Sequence, residues 1–324
     1  MNLSPREFHD EALMRAANVL VQEDSAFEFL LAALVVGGNV LVEGVPGTGK
    51  TLMARAAAQL LRDGAGHEGV RFRRIQFTPD LMPSDIVGTN VYNASTSTFS
   101  LRKGPIFASV VVADEINRAP AKTQSALLEA MEEHQVTIEG ERLTLPPVFM
   151  VVATQNPVEF EGTYPLPEAQ VDRFLFKVLV EHGSAEAERE VLLRHHQGFV
   201  LNDLAAAGMH PFVVESDLLD VRRQVAGVRV DSSVADYMVA LERATRTAPE
   251  AQYGASVRGA LGLLLGSKAL AAFGGREYVT PDDVKAVAAP VLRHRVVLRP
   301  EAELDGVRPD DVVARILGNV PVPR

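Results

Sequence analysis

The residues best equipped for chemistry stand together at Gly44-Val45-Pro46-Gly47-Thr48-Gly49-Lys50-Thr51. Glycine, four residues, Gly-Lys and then Ser or Thr is the spacing of a phosphate-binding loop. The glycines let backbone N–H groups turn inward and approach phosphate oxygens with no Cβ in the way. Lys50 adds a full positive charge for the β- and γ-phosphates of a nucleotide, and Thr51 offers a hydroxyl to Mg²⁺. The rest of the loop and Leu52, which opens the next helix, are candidates to contact the same group. A second pair, Asp114-Glu115, ends the apolar run Ser109-Val110-Val111-Val112-Ala113. The first carboxylate can hold the Mg²⁺ shell, through water, and the second can polarise an attacking water. In-line attack on a γ-phosphate needs both. An apolar run ending in two acids is common by itself; downstream of a phosphate loop it points to nucleotide hydrolysis.

These groups act only if a sheet delivers them to one edge. Val40-Leu41-Val42 reads as the strand before the loop, and residues 52–58 as the start of a helix running to about Arg62, whose positive end faces the phosphates. Residues 71–77 alternate as a strand does. The runs ending at Ala113 and Ala153 have the β-branched, unalternating composition of strands buried on both faces of a parallel sheet. Upstream, residues 5–35 read as one or two helices, with Ser4 as N-cap, Pro5 at the first position and Glu7 completing a capping box, stopped by Gly37-Gly38. Residues 63–69 form a loop in which His67 reads as a solvated side chain. Residues 78–104, punctuated by Pro79, Pro83, Gly88 and Gly104, read as an insertion carrying a small hairpin.

Residues 120–133 read as a helix with Leu127, Leu128 and Met131 inside and Glu129, Glu132 and Glu133 as a solvated outer face. Residues 135–145 alternate around Glu139-Gly140 as a second hairpin. Asp172-Arg173-Phe174 puts an arginine at the mouth of a further strand. From about residue 183 the pattern turns helical, over 185–196, 216–225, 233–245, 256–271 and 281–291, the last capped by Thr280 with Pro281 behind it. His294, between two arginines, reads as a cation suited to a helix end. The division expected is 1–182 for the α/β part and 183–324 for the helical part.

Composition narrows the function classes. A chain of 324 residues, 47% hydrophobic, can bury an ample core in one or two domains. A net charge of −10 with no basic cluster argues against a broad nucleic-acid surface. The absence of cysteine excludes disulfides and thiolate metal sites and suits a reducing cytoplasm. The longest apolar stretch, 29–36, is too short for a bilayer, and the N-terminus lacks the basic-then-apolar order of a signal peptide.

The order of phosphate loop, insertion, Asp-Glu strand, hairpin, Thr154-Gln155-Asn156-Pro157 and Asp172-Arg173-Phe174 resembles an AAA+ ATPase. The stretches from Phe77 to Asp85, Asp114-Glu115-Ile116-Asn117-Arg118-Ala119 and Tyr164 to Phe174 narrow the resemblance to the MoxR family, across essentially the whole chain. That resemblance implies a phosphate-loop NTPase core, an α/β parallel sheet, with a C-terminal helical lid. It implies Mg²⁺-dependent ATP hydrolysis by a homo-oligomer, a hexameric ring, that remodels or matures a client protein, one with a von Willebrand A domain among the possibilities. Asn156 then takes the sensor 1 role beside the attacking water. Arg173 resembles the arginine finger that reaches into a neighbouring subunit, with Arg118 as second candidate. Arg258, in Gly254-Ala255-Ser256-Val257-Arg258, resembles sensor 2, touching the nucleotide from the lid; Val257 stands where the family carries proline. The insertion and the hairpin match the family's helix-2 insert and pre-sensor hairpin. Two other classes compete: a nucleotide-gated scaffold with little hydrolysis, and a nucleic-acid motor. Intact Glu115, Asn156 and Arg173 argue against the first, the acidic balance against the second.

Overall fold

The computed structural model describes residues 3–21, 24–62, 70–95, 97–157, 162–198 and 203–323. The expected loop at 63–69, with His67, lies outside the described residues. The chain opens with helices α1 (Pro5–Ala16) and α2 (Asp24–Val36). The predicted cap is reciprocal: the Glu7 N–H donates to Ser4 Oγ at 3.2 Å and the Ser4 N–H donates to the Glu7 carboxylate at 2.9 Å. Next come β1 (Val40–Gly44), α3 (Lys50–Gln59), β2 (Val70–Gln76), the short α4 (Pro83–Val87), β3 (Gly88–Asn93), β4 (Thr98–Lys103), β5 (Ala108–Asp114) and α5 (Ala121–Glu133). Then follow β6 (Gln135–Ile138), β7 (Glu141–Thr144), β8 (Met150–Gln155), the short α6 (Glu168–Val171) and β9 (Phe176–Val180).

The strands β2-β5-β8-β1-β9 pair in that order, all parallel. β5 and β8 are buried along nearly their whole length, which is why their sequences run apolar without alternating. From β1 the chain crosses to β2 at the far edge, works back through β5 and β8, and steps over β1 to β9. The carboxyl ends of β1 and β8 therefore flank a reversal of strand order, where open α/β sheets hold ligands.

Two hairpins stand off this sheet. β3 pairs with β4 from Gly88↔Lys103 to Asn93↔Thr98. Its base is too close for side chains: a Cβ on Gly88 would lie 2.3 Å from the Arg102 carbonyl oxygen, and one on Gly104 2.2 Å from that of Ile86. The expected insertion thus holds its hairpin, but Ile86-Val87, which the sequence alone offers as a short alternating run beside the hairpin, belong to α4, because Ile86 is buried in the core rather than paired in a strand. β6 and β7 turn on Glu139 and Gly140, both at positive φ as a tight hairpin turn requires. Asn90 donates to the Glu139 carboxylate at 2.7 Å, tying the hairpins together.

The C-terminal part comprises α7 (Ala185–His196), α8 (Glu215–Ala226), α9 (Ser232–Thr247), β10 (Ala251–Tyr253), α10 (Val257–Phe273), α11 (Pro281–Leu292), β11 (Val297–Leu298), α12 (Pro300–Leu304) and α13 (Pro309–Asn319). Thr280 closes the expected cap on α11 with Asp283. Beyond α11 the chain adds α12 and α13, and β10–β11 form a small antiparallel pair. One sheet face, with Val42, Val112 and Val152, merges into a continuous core with α1, α2 and the C-terminal helices. The other, with Leu41, Val111 and Val151, packs on α5 and the hairpins. α2 is apolar nearly all round because it is wrapped by β9, α3, α8 and α10. No described helix is long and apolar enough to cross a membrane.

Candidate functional site

The loop between β1 and α3 carries the first half of the site. Gly47 and Gly49 both take positive φ, and a Cβ built on either would meet nothing within 4 Å. The loop is therefore an open cradle of backbone N–H groups at a helix N-terminus. Thr48 Oγ1 donates to the Val45 carbonyl at 3.0 Å, bracing the turn. Lys50 Nζ donates to the carbonyls of Gly44 and Val45, each at 2.6 Å. Burial holds its pKa below the usual lysine value, with the charges of Asp114 and Glu115 pulling the other way.

The second half comes from the ends of β5 and β8. A cavity of about 250 Å³ is lined by Pro46 to Leu52, Asp114, Glu115, Thr154, Gln155 and Asn156. Thr51 Oγ1 donates to Asp114 Oδ2 at 3.3 Å, so two hard oxygens of the kind Mg²⁺ takes converge beside the cradle. The phosphate loop and this oxygen pair fit a magnesium nucleotide. Thr154, buried on β8, donates to Asp114 Oδ1 at 2.5 Å and accepts the Glu115 N–H at 3.0 Å. That hydroxyl fixes both acids at once. Glu115 itself sits in the left-handed region, φ 56°, where the strand breaks into a short turn. Non-glycine residues pay for that conformation only where the surroundings enforce it.

Two contributors from β2 escaped the sequence reading. Arg74 donates to Asp114 Oδ2 through Nε at 2.9 Å and Nη2 at 2.5 Å. Gln76 donates to Glu115 Oε2 at 2.7 Å and accepts from Arg74 at 2.9 Å. The signal was positional: Gln76 is in register with Asp114 across the sheet. Only the strand order, not the sequence, makes β2 the neighbour of β5. Arg118 pairs with Glu115 of its own chain at 3.1 Å.

Arg173 and Arg258 do not line this cavity. Both reach Glu132 on α5, Arg173 Nη1 at 3.0 Å and Arg258 Nη2 at 2.5 Å, and both line a second cavity of about 260 Å³. Arg173 also donates to the Leu128 carbonyl at 3.0 Å. The outer face of α5 is thus not plain solvated surface: Glu132 holds two guanidiniums. Ser256 caps α10 by accepting the Arg258 N–H, and Val257 occupies the first helical position with the cap intact.

The segment bearing Arg173 is fastened from behind. Arg295, 7% exposed, donates to Asp172 Oδ1 at 2.7 Å and to the carbonyls of Asp172 and Phe174 at 3.0 and 2.7 Å. Its neighbour His294 corrects an expectation. It is no exposed cation at a helix end but a buried ring whose Nε2 bonds the Phe174 carbonyl at 3.1 Å. Burial, then the charge of Arg295, hold its pKa well below the usual histidine value, so it stays neutral.

Comparison with known proteins identifies the family. A family described as "ATPase family associated with various cellular activities (AAA)" matches residues 39–176, and an AAA lid domain matches 243–316. The chain is 46% identical over 293 residues to the uncharacterised protein YeaC of Bacillus subtilis, covering 90% of this chain and 88% of that one. It is 41% identical over 324 residues to Chaperone MoxR1 of Mycobacterium tuberculosis, covering 97% and 82%. A crystal structure of a protein described as an ATPase from Cytophaga hutchinsonii superimposes with a TM-score of 0.88 at 40% identity, covering 99% of this chain and 96% of that one. With its parallel sheet, its phosphate loop and these relatives, the chain belongs to the MoxR family of AAA+ ATPases.

Proposed function

We propose that the protein hydrolyses ATP with Mg²⁺ in a ring of identical subunits, each site completed by Arg173 and Arg258 of the next subunit, and that the cycle remodels a client protein. One observation carries this reading. Lys50, Thr51, Asp114, Glu115 and Asn156 converge on one cavity, while the two arginines suited to a γ-phosphate stand together on another. A site with its cradle, metal oxygens and base, but with those guanidiniums elsewhere, calls for a second copy. The chaperone role rests on the likeness to MoxR1.

Bound in the cradle, a magnesium nucleotide would supply the γ-phosphoryl group and a cation to offset the charge that develops on it. The protein's residues do the rest. Lys50 leaves its loop carbonyls for the phosphates. Thr51 and Asp114 hold the metal's shell. Glu115 accepts the proton of the attacking water, and Asn156, which can both donate and accept, orients it. A guanidinium from the neighbour spreads the developing charge, which makes turnover depend on assembly.

The test is the rate per subunit against protein concentration, with Mg²⁺ present. The rate should climb steeply and then level. Arg173→Ala subunits mixed with Glu115→Gln subunits should recover part of the hydrolysis that each lacks alone. Mixed assemblies of proven composition that recover nothing would remove Arg173 from the neighbour's site.

A further inference from the structure

The second cavity opens between α5, the Asp172–Phe174 segment and α10, with Leu261, Gly262 and Leu265 along its lid side. Two carboxylates line it: Asp172, held by Arg295 and Ser256, and Glu132. Glu132 Oε2 faces Arg173 and Oε1 faces Arg258, one oxygen to each guanidinium. The Arg258 pair joins the large part of the chain to the first turn of a lid helix, while the Arg173 pair lies within the large part. The Arg173 Nε–H, meanwhile, is buried with no hydrogen-bond partner among the described residues. One face of that fork is therefore unsatisfied, although a planar guanidinium is built to bind two oxygens side by side. The side chains of Arg173, Glu132 and Arg258 are 30%, 39% and 45% exposed, so water screens the pairs and a more highly charged oxygen group can displace them.

We propose that Glu132 is a stand-in for phosphate: in the unassembled chain its carboxylate occupies the two arginines that a phosphate on a second copy must win. This rests on the reading of Arg173 and Arg258 given above. The occupant that displaces Glu132 is the phosphate chain of a nucleotide held in the neighbour's cradle, richer in charge and oxygen than one carboxylate. The contact restrains assembly. Until a loaded neighbour arrives, the arginines are neutralised at home and α10 is tied to α5.

The experiment compares wild type, Glu132→Gln and, as a charge-matched control, Glu129→Gln, an exposed position on the same helix. Sedimentation at serial dilution, with Mg²⁺ and the non-hydrolysed β,γ-imido analogue of ATP, gives the concentration of half-assembly; the ATPase curve gives a second value. Glutamine suits a helix surface, so folding is preserved. Glu132→Gln should assemble at roughly three- to tenfold lower concentration, the range two exposed ion pairs provide, with its plateau rate unchanged. Glu129→Gln should follow wild type. A Glu132→Gln curve on top of wild type overturns the proposal, since the pairs are then bystanders. A higher midpoint or a lower plateau also overturns it, because the carboxylate would then be orienting the arginines. So does a wild-type ring that persists at every dilution. Failure of the underlying reading looks different: Arg173→Ala and Arg258→Ala would each keep the wild-type curve.

Discussion

At the scale of single residues, the two acids at the end of β5 are held by different partners. Asp114 has both oxygens engaged, Oδ1 by Thr154 and Oδ2 by Thr51 and Arg74. Glu115 is held through Oε2 by Gln76 and Arg118. Replacing Lys50 with alanine should abolish nucleotide binding, read by calorimetry; normal affinity would sink the assignment of the cradle. Glu115→Gln should bind as tightly as wild type yet hydrolyse at least about a hundredfold more slowly, the span usual for a lost general base. Wild-type turnover in that variant would remove Glu115 from the water. The candidate actors stand out in the sequence because each has a chemistry that its spacing announces. Thr154, Arg74 and Gln76 were not legible as site residues. They act on the acids rather than on the ligand, and they reach them from strands that sequence order does not make neighbours. Glu132 was misread for the opposite reason: its period on α5 is that of a solvated face, and only the far-off positions of Arg173 and Arg258 give it partners.

At the scale of elements, strands and helices were recoverable because their patterns are strong. β5 and β8 are buried on both faces, and α1, α10 and α11 begin at caps that their residue types dictate. Boundaries moved where tertiary contact overrode pattern, as at Ile86-Val87. The insertion's hairpin is anchored by backbone closeness at its base rather than by side chains, so glycine is required there. Gly104→Ala should force the Ile86 carbonyl aside and lower stability by about 1–3 kcal/mol, the usual range for overpacking, visible as a lower urea midpoint. An unchanged midpoint would mean the hairpin base can open freely. Tyr92 and Phe99 pair across this hairpin with ring centroids 5.2 Å apart while remaining exposed, and the Asn90–Glu139 bond links this hairpin to the other.

At the scale of the whole molecule, stability should depend on acidity through His294. The unfolded chain takes up a proton near the ordinary histidine value of 6.5, whereas the buried ring takes one only well below it. Its contribution is therefore whole above pH 6.5 and declines as pH falls, by at most about 1.4 kcal/mol per pH unit. His9 works in the other direction, since Glu28 and Asp10 together outweigh its burial and raise its pKa. The comparison must keep His9 constant: between pH 6.5 and 5, His294→Gln should lose less of its thermal midpoint than wild type, and equal slopes would refute a buried neutral ring. The same scale shows why the chain's ends are not separate appendages. Phe8 on α1 stacks on Phe212 at 5.9 Å, His9 stacks on Phe273 at 4.5 Å, Arg222 donates to the Leu34 carbonyl, and Gln224 to that of Leu3. The first helices thus find much of their cover in residues about 190 to 260 positions further along the chain. During translation α1 and α2 can cover each other, and α2 later meets α3 and β9, but the cover that α8 and α10 provide comes only when those helices emerge. A nascent chain of this design is exposed to mispairing for most of its synthesis. Its core is expected to close late in translation, so a protein proposed to remodel others passes through a stage in which it needs shelter itself.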